Sequence, residues 1–219
     1  LYFDRHDGEA ATCEDFVAAI EAGTGLDLTQ FRLWYAQAGT PKVAVTLAHE
    51  GDTARVKLTQ TVPATPGQGD KHPMPIPLKL ALFDRASGTH SGEQLVVLDK
   101  DSAEFTFDGF AQRPILSINR TFSAPVSIDR DVSREDLVFL AAKDDDPFAR
   151  YEAMQELMTG HLVAAVSGEM DDGEREAART DIAQAMRAVI EDDQLDGAAF
   201  ATVGSVTTLV EQALADKGP

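Results

Sequence analysis

The stretch KVAVTLAHEGDTARVKLTQTV, residues 42–62, is where the periodicity of the chain changes. Val43, Val45 and Leu47 alternate with small or polar residues, and ARVKLTQTV repeats the alternation after AHEGDT. A period of two puts every second side chain on one face of a pleated strand, so these residues predict two antiparallel strands joined by a glycine turn. A long Pro- and Gly-rich loop, PATPGQGDKHPMPIP (63–77), leads to the next strand, LKLALFD (78–84). Further short apolar runs follow at 94–99, 103–109, 114–122 and 126–129. About seven strands with turn signals and no helix between them predict an antiparallel, Ig-like β-sandwich over residues 40–130.

Upstream of this stretch the apolar spacing is helical. Thr12 followed by Asp15 forms a hydroxyl-x-x-carboxylate capping signature, predicting a helix over residues 13–22 that Gly23 and Gly25 stop. Asp27 and Gln30 offer a second cap before FRLWYAQAG (31–39), a helix ended by Gly39 and Pro41. Phe31, Trp34, Tyr35 and Ala38 then share one face, read as packing. Downstream, Ser133 and Asp136 repeat the capping spacing, and helical patterns run through 148–166, 174–192 and 205–216. The expected architecture is α+β: two N-terminal helices in 1–39, the sandwich in 40–130 and a helical segment in 131–219.

Composition narrows the function. With 219 residues and 43 % hydrophobic content the chain can bury a core, and no apolar window approaches the length of a membrane span, so it reads as soluble. A net charge of −18 opposes nucleic-acid binding, which needs clustered Lys and Arg. The single cysteine cannot close an internal disulfide, so the cytoplasm is the simplest address. The tripeptide Asn119-Arg120-Thr121 matches a glycosylation pattern too short to carry weight. Residues 130–219 hold 20 acidic and 8 basic side chains, and this acidity, including the run at 144–146, is expected to form solvated helix faces. The first residue is Leu1 rather than Met, which fits a fragment lacking an N-terminal part.

A search for chemistry returns no site. His6, His49, His72, His90 and His161 show no i, i+4 pair for zinc and read as structural or exposed. Neither 144–146 nor 191–193 has calcium-loop spacing, and Gly67-Gln68-Gly69 is a turn rather than a phosphate loop. Ser91 and Ser205 adjoin glycines without a strand-turn-helix setting. Cys13 stands at a helix start, where the backbone dipole favours a thiolate, but Glu9, Glu14 and Asp15 oppose it; a small residue that packs inside is the expectation. No catalytic, cofactor-binding or metal-binding residue is assigned.

LYFDRHDGEAATCEDF (1–16), LDLTQFRLWYAQAGTPKVAV (26–45), PATP (63–66), FSAPVSI (122–128) and DPFARYEAMQEL (146–157) resemble, in that order, bacterial aminopeptidase N, a family of zinc-dependent metallopeptidases of the gluzincin type. The resemblance implies that 1–39 are the terminal helices of a catalytic domain, 40–130 a β-sandwich domain and 131–219 the beginning of a C-terminal helical domain that runs on past Pro219. In that family an HExxH helix and a further glutamate hold zinc, a second glutamate activates water, a tyrosine stabilises the intermediate, and a G-x-M-E-N segment binds the substrate amine. None of these motifs occurs here, so Tyr2, Tyr35 and Tyr151 inherit no role. The resemblance therefore implies zinc and release of N-terminal residues for a parent enzyme, expected to be monomeric and cytoplasmic. For this chain it implies a scaffold whose partners are the missing domains, without nucleic acid or membrane. A free-standing β-sandwich binding module is the alternative reading. Self-association through Phe31, Trp34, Tyr35 and the last helices is a third.

Overall fold

The computed structural model describes residues 1–90, 92–168 and 170–192. Three short helices come first: α1 (Tyr2–His6), α2 (Cys13–Thr24) and α3 (Leu33–Ala36). Seven strands follow, β1 (Lys42–Glu50), β2 (Thr53–Thr61), β3 (Ile76–Phe83), β4 (Gln94–Leu98), β5 (Ser102–Asp108), β6 (Ile115–Ile118) and β7 (Ser127–Arg130). Helices α4 (Arg134–Lys143), α5 (Pro147–Ser167) and α6 (Asp172–Ile190) complete the described chain.

The strands form two sheets, β5-β2-β1-β7 and β4-β3-β6. The β1–β2 hairpin pairs Glu50 with Thr53, so Gly51 and Asp52 make a two-residue turn, and Gly51 takes the left-handed φ of 64° that the turn requires. The alternation read from the sequence points Val43, Val45, Ala54, Val56 and Leu58 at the facing sheet, where Ile76, Leu78, Leu80, Val96 and Leu98 complete the core. Each such Val, Leu or Ile side chain stabilises the fold by about 1.5–3 kcal/mol. The sheets are not wholly antiparallel: β7 runs parallel to β1, pairing Ser127 with Lys42 through Arg130 with Val45. A short apolar run does not encode its direction, because both arrangements leave the same face buried.

Gln60 is the polar exception in this core. Its side chain donates to the carbonyls of Met74, Leu98 and Lys100 at 2.9, 3.1 and 2.9 Å and accepts the Met74 N–H at 2.8 Å. One amide thus satisfies the end of the long loop after β2 and fastens it across the sandwich.

The N-terminal helices depart from the sequence expectation in detail. Thr12 and Asp15 form the reciprocal box that caps α2, yet α2 runs through Gly23 to Thr24 and ends at Gly25, whose φ is 74°. The helix expected over 31–39 is reduced to four residues. Asp27 bonds the Thr29 N–H in a local turn, and Gln30, instead of closing a box, donates to the carbonyls of Pro73 and Asp99. The expected common packing face also divides: Trp34 sits against the sandwich core with its Nε1 on the Pro75 carbonyl, whereas Phe31 and Tyr35 are exposed. Arg32 clamps this segment to α2 through Glu14 and Glu21.

Candidate functional site

The densest concentration of buried charge lies where the sandwich meets the helices. Strand β6 ends at Ile118, and Asn119, Thr121 and Phe122 then adopt left-handed φ values of 58°, 54° and 52°. Such backbone is unfavourable for residues with a Cβ and persists only where surrounding contacts fix it. Here it turns Arg120 into the interface, where it is 3 % exposed.

The loop between α4 and α5 supplies the counter-charges. Asp144 is fully buried and Asp146 is 4 % exposed, so two acids of the run expected to be a solvated face are instead internal contacts, while Asp145 between them stays exposed. Arg120 Nη2 lies 3.4 Å from Asp144 Oδ1 and bonds Asp145, while its Nε lies 3.3 Å from Glu93 Oε2. His90 Nε2 reaches Asp145 Oδ1 at 3.1 Å, and His90 Nδ1 accepts the Gly92 N–H, which makes Nε2 the protonated nitrogen that donates to Asp145. Asp146 accepts the Thr121 N–H at 3.0 Å and the Ala149 N–H at 2.7 Å, so one carboxylate caps α5 and binds the strained turn.

Electrostatics differ among these acids. Burial pushes the Asp144 carboxyl above its ordinary range despite the nearby Arg120. Burial works the same way on Asp145, but hydrogen bonds from Arg120 and His90 outweigh it and hold that carboxyl below its ordinary value. A guanidinium shared among carboxylates from different chain segments is costly to desolvate and costlier to leave half-paired.

A second anchor lies beside the first. Asp136 was expected to close the Ser133 capping signature; its N–H does bond Ser133 Oγ at 3.1 Å, but its buried carboxylate pairs with Arg85 and, at 3.3 Å, with Arg113, both from the sandwich. Between the anchors the outer face of the three-stranded sheet is apolar. Ala81, Phe83 and Ile115 pack with Leu137, Leu140, Ala141 and Met154 in one cluster, and Phe83 meets Phe139 edge-on at 5.4 Å. Arg150, 4 % exposed, ties α5 to the carbonyls of Ala141 and Ala142 and to Asp192.

The other residues weighed from sequence stay apart. Cys13 is exposed rather than packed inside, because α2 turns Val17 and Ala19, not its first residue, to the interior. His49 bonds the Phe110 carbonyl at 2.8 Å, His72 is exposed, and His161 is half-buried between α5 and α6 with its pKa lowered by burial and by Arg179, Arg134 and Arg175. Ser91, Ser205 and the helical pattern at 205–216 lie outside the described residues. Among the described residues no three His, Cys, Asp or Glu side chains group to hold a metal ion, and the junction acids already serve Arg120 and backbone N–H groups. These residues do not fit the zinc that the resemblance implies for a parent enzyme. No helix among the described residues is long and apolar enough to cross a membrane.

The division into two packed units agrees with comparisons to known proteins. Residues 39–131 match a domain of unknown function with an Ig-like fold (DUF3458), and 134–215 match its companion of ARM repeats (DUF3458_C). Aminopeptidase N of Escherichia coli strain K12 is 34 % identical over 97 % of this chain, and that of Haemophilus influenzae is 43 % identical over 74 %. The chain belongs to the aminopeptidase N family. It spans 25 % and 20 % of the lengths of those two relatives, so it corresponds to a piece of an aminopeptidase N. A solved structure, Legionella pneumophila aminopeptidase A in complex with aspartic acid, matches 99 % of this chain and 27 % of its own with a TM-score of 0.70 and 26 % identity.

Nothing in the sequence marked Arg120 as the centre of the site. Its tripeptide resembled a glycosylation pattern, yet Asn119 is buried with its Oδ1 bonded to Ala124 N–H. The signal that could have found it is chemical: an acidic run placed at a helix start has to be matched by a cation once it is buried.

Proposed function

We propose that this chain is the non-catalytic central piece of an aminopeptidase N, and that its work is to hold the domains on either side of it at a fixed separation. The observation that carries this reading is the lock of buried Arg120 on buried Asp144, with the more exposed Glu93 and Asp145 beside it, backed by buried Asp136 with Arg85 and Arg113. Buried ion pairs set on an apolar seam resist sliding, because any displacement leaves a charge desolvated and unpaired. In this reading residues 1–39 end the catalytic domain, 40–130 are the spacer and 131–219 begin the C-terminal helical domain. Together these domains would enclose a chamber that short peptides enter.

The release of N-terminal residues, and the zinc that the resemblance implies for it, are assigned to parts of a cytoplasmic, monomeric parent outside this stretch. The absence of HExxH and G-x-M-E-N from the sequence supports that division. The direct test is an aminoacyl-anilide assay of the purified chain with added zinc. The expected result is no turnover above the uncatalysed rate, and appreciable turnover that co-purifies with the chain would overturn the reading.

A further inference from the structure

A groove of about 480 Å³ runs between α5 and the open side of the sandwich, separate from the Arg120 lock. It is bounded by β7, by Asn119 and Phe122 after β6, and by Phe148, Glu152 and Glu156 of α5. Strand β7 is the last strand of its sheet. Its parallel ladder with β1 starts with the Ser127 N–H on the Pro41 carbonyl, which turns the backbone of Ser127 and Asp129 toward β1. The N–H and C=O of Ile128 consequently point away from β1, and among the described residues no backbone group pairs with them. An unpaired strand edge of this kind is a template for another extended segment.

The walls of the groove specify the segment. Arg130 Nη1 donates to the Leu116 carbonyl and Nη2 lies 3.3 Å from Glu156 Oε2, so the one guanidinium lining the groove is already engaged. Glu152, one turn earlier on α5, makes no hydrogen bond or ion pair among the described residues; burial raises its pKa, the charge of Arg130 opposes that rise and the charge of Glu156 adds to it. The rings of Phe122 and Phe148, 5.3 Å apart, offer π faces that attract a cation. Asn119 is 6 % exposed; its Oδ1 accepts from Ser123 Oγ and Ala124 N–H, which leaves its amide N–H₂ without a partner among the described residues and available to a carbonyl. A free strand edge, a carbonyl-seeking amide and an unpaired carboxylate beside aromatic rings are together complementary to one kind of occupant.

We propose that this groove binds an extended peptide segment carrying lysine or arginine, which adds as a strand to the free edge of β7 and sets its cationic side chain against Glu152. The inference does not depend on the scaffold reading, since the groove is present in the chain itself whatever lies on either side of it.

The test is fluorescence anisotropy with a labelled nine-residue peptide of alternating valine and lysine, read against the same peptide with glutamate for lysine and a third with proline at its centre. Amide hydrogen exchange at Ile128 is followed in parallel. The lysine peptide should bind and slow exchange at Ile128, while the glutamate and proline peptides should not bind. Glu152→Gln should weaken binding about fivefold, the factor for loss of one partly exposed ion pair. Because Glu152 lies on the surface of α5, circular dichroism should show the variant folded; Phe122→Leu, expected to weaken binding as well, gives a second variant. Equal binding of lysine and glutamate peptides, binding without protection of Ile128, or no binding would overturn the proposal. Protection of Ile128 by dimerisation without peptide would also overturn it, assigning the edge to a second copy of the chain.

Discussion

The Asp146 carboxylate accepts the backbone N–H of Thr121 at 3.0 Å, joining the first turn of α5 to a left-handed turn at the end of β6. The same carboxylate caps α5 at Ala149, so the start of the helix and the geometry of the junction are set by one side chain. Asp146→Ala removes the cap, worth about 1 kcal/mol, and orphans the Thr121 N–H at about 1–3 kcal/mol. Chemical denaturation should therefore show a loss of about 2–4 kcal/mol, with Asp146→Asn retaining part of it.

Arg120 gives the larger effect. Arg120→Ala leaves Asp144 fully buried without its cation, and removing one partner of a buried pair costs about 3–5 kcal/mol. Asp145 is more exposed, so Asp145→Asn should cost clearly less. Urea titrations of the two variants against the parent chain check the order.

Gln60 is the corresponding point inside the sandwich. Gln60→Leu nearly preserves volume but strips hydrogen bonds from Met74, Leu98 and Lys100. Orphaning the Met74 N–H alone should destabilise by about 1–3 kcal/mol, and proteolysis should shift to the loop 62–75, now unfastened.

The α2–α3 clamp should be acid-labile. Arg32 donates to Glu21, and with the Leu28 N–H it lowers the Glu21 pKa from 4.5 to about 2. A depressed folded-state pKa means stabilisation present above pH 4.5 and lost as the pH falls toward 2. NMR titration of the Glu21 side chain should show that midpoint, and Arg32→Gln should return it toward the ordinary value.

Much of this architecture was legible in the sequence because the relevant physics is local. Period-two patterning in 42–62, the Thr12 and Ser133 caps and the Pro- and Gly-rich loop each depend on residues close in the chain, and the strands and helices formed where those signals stand. The junction was not legible. Arg120 meets Asp145 across 25 positions and Glu93 across 27, and the acids at 144–146 look like any solvated run until β6 is placed beside α5. The parallel pairing of β7 and the short α3 escaped for a related reason, since tertiary neighbours decide strand direction and decide whether Gln30 caps a helix or docks a loop.

If Arg120 locks sandwich and helices into one unit, the two should unfold together. Trp34, the only tryptophan, reports on the sandwich, while far-ultraviolet dichroism is dominated by α4, α5 and α6. Urea unfolding followed by both probes on one sample is the most direct measurement. The expected result is coincident transitions for the parent chain and two separated transitions for Arg120→Ala. Separated transitions in the parent chain, or coincident ones unchanged in midpoint by Arg120→Ala, would contradict it.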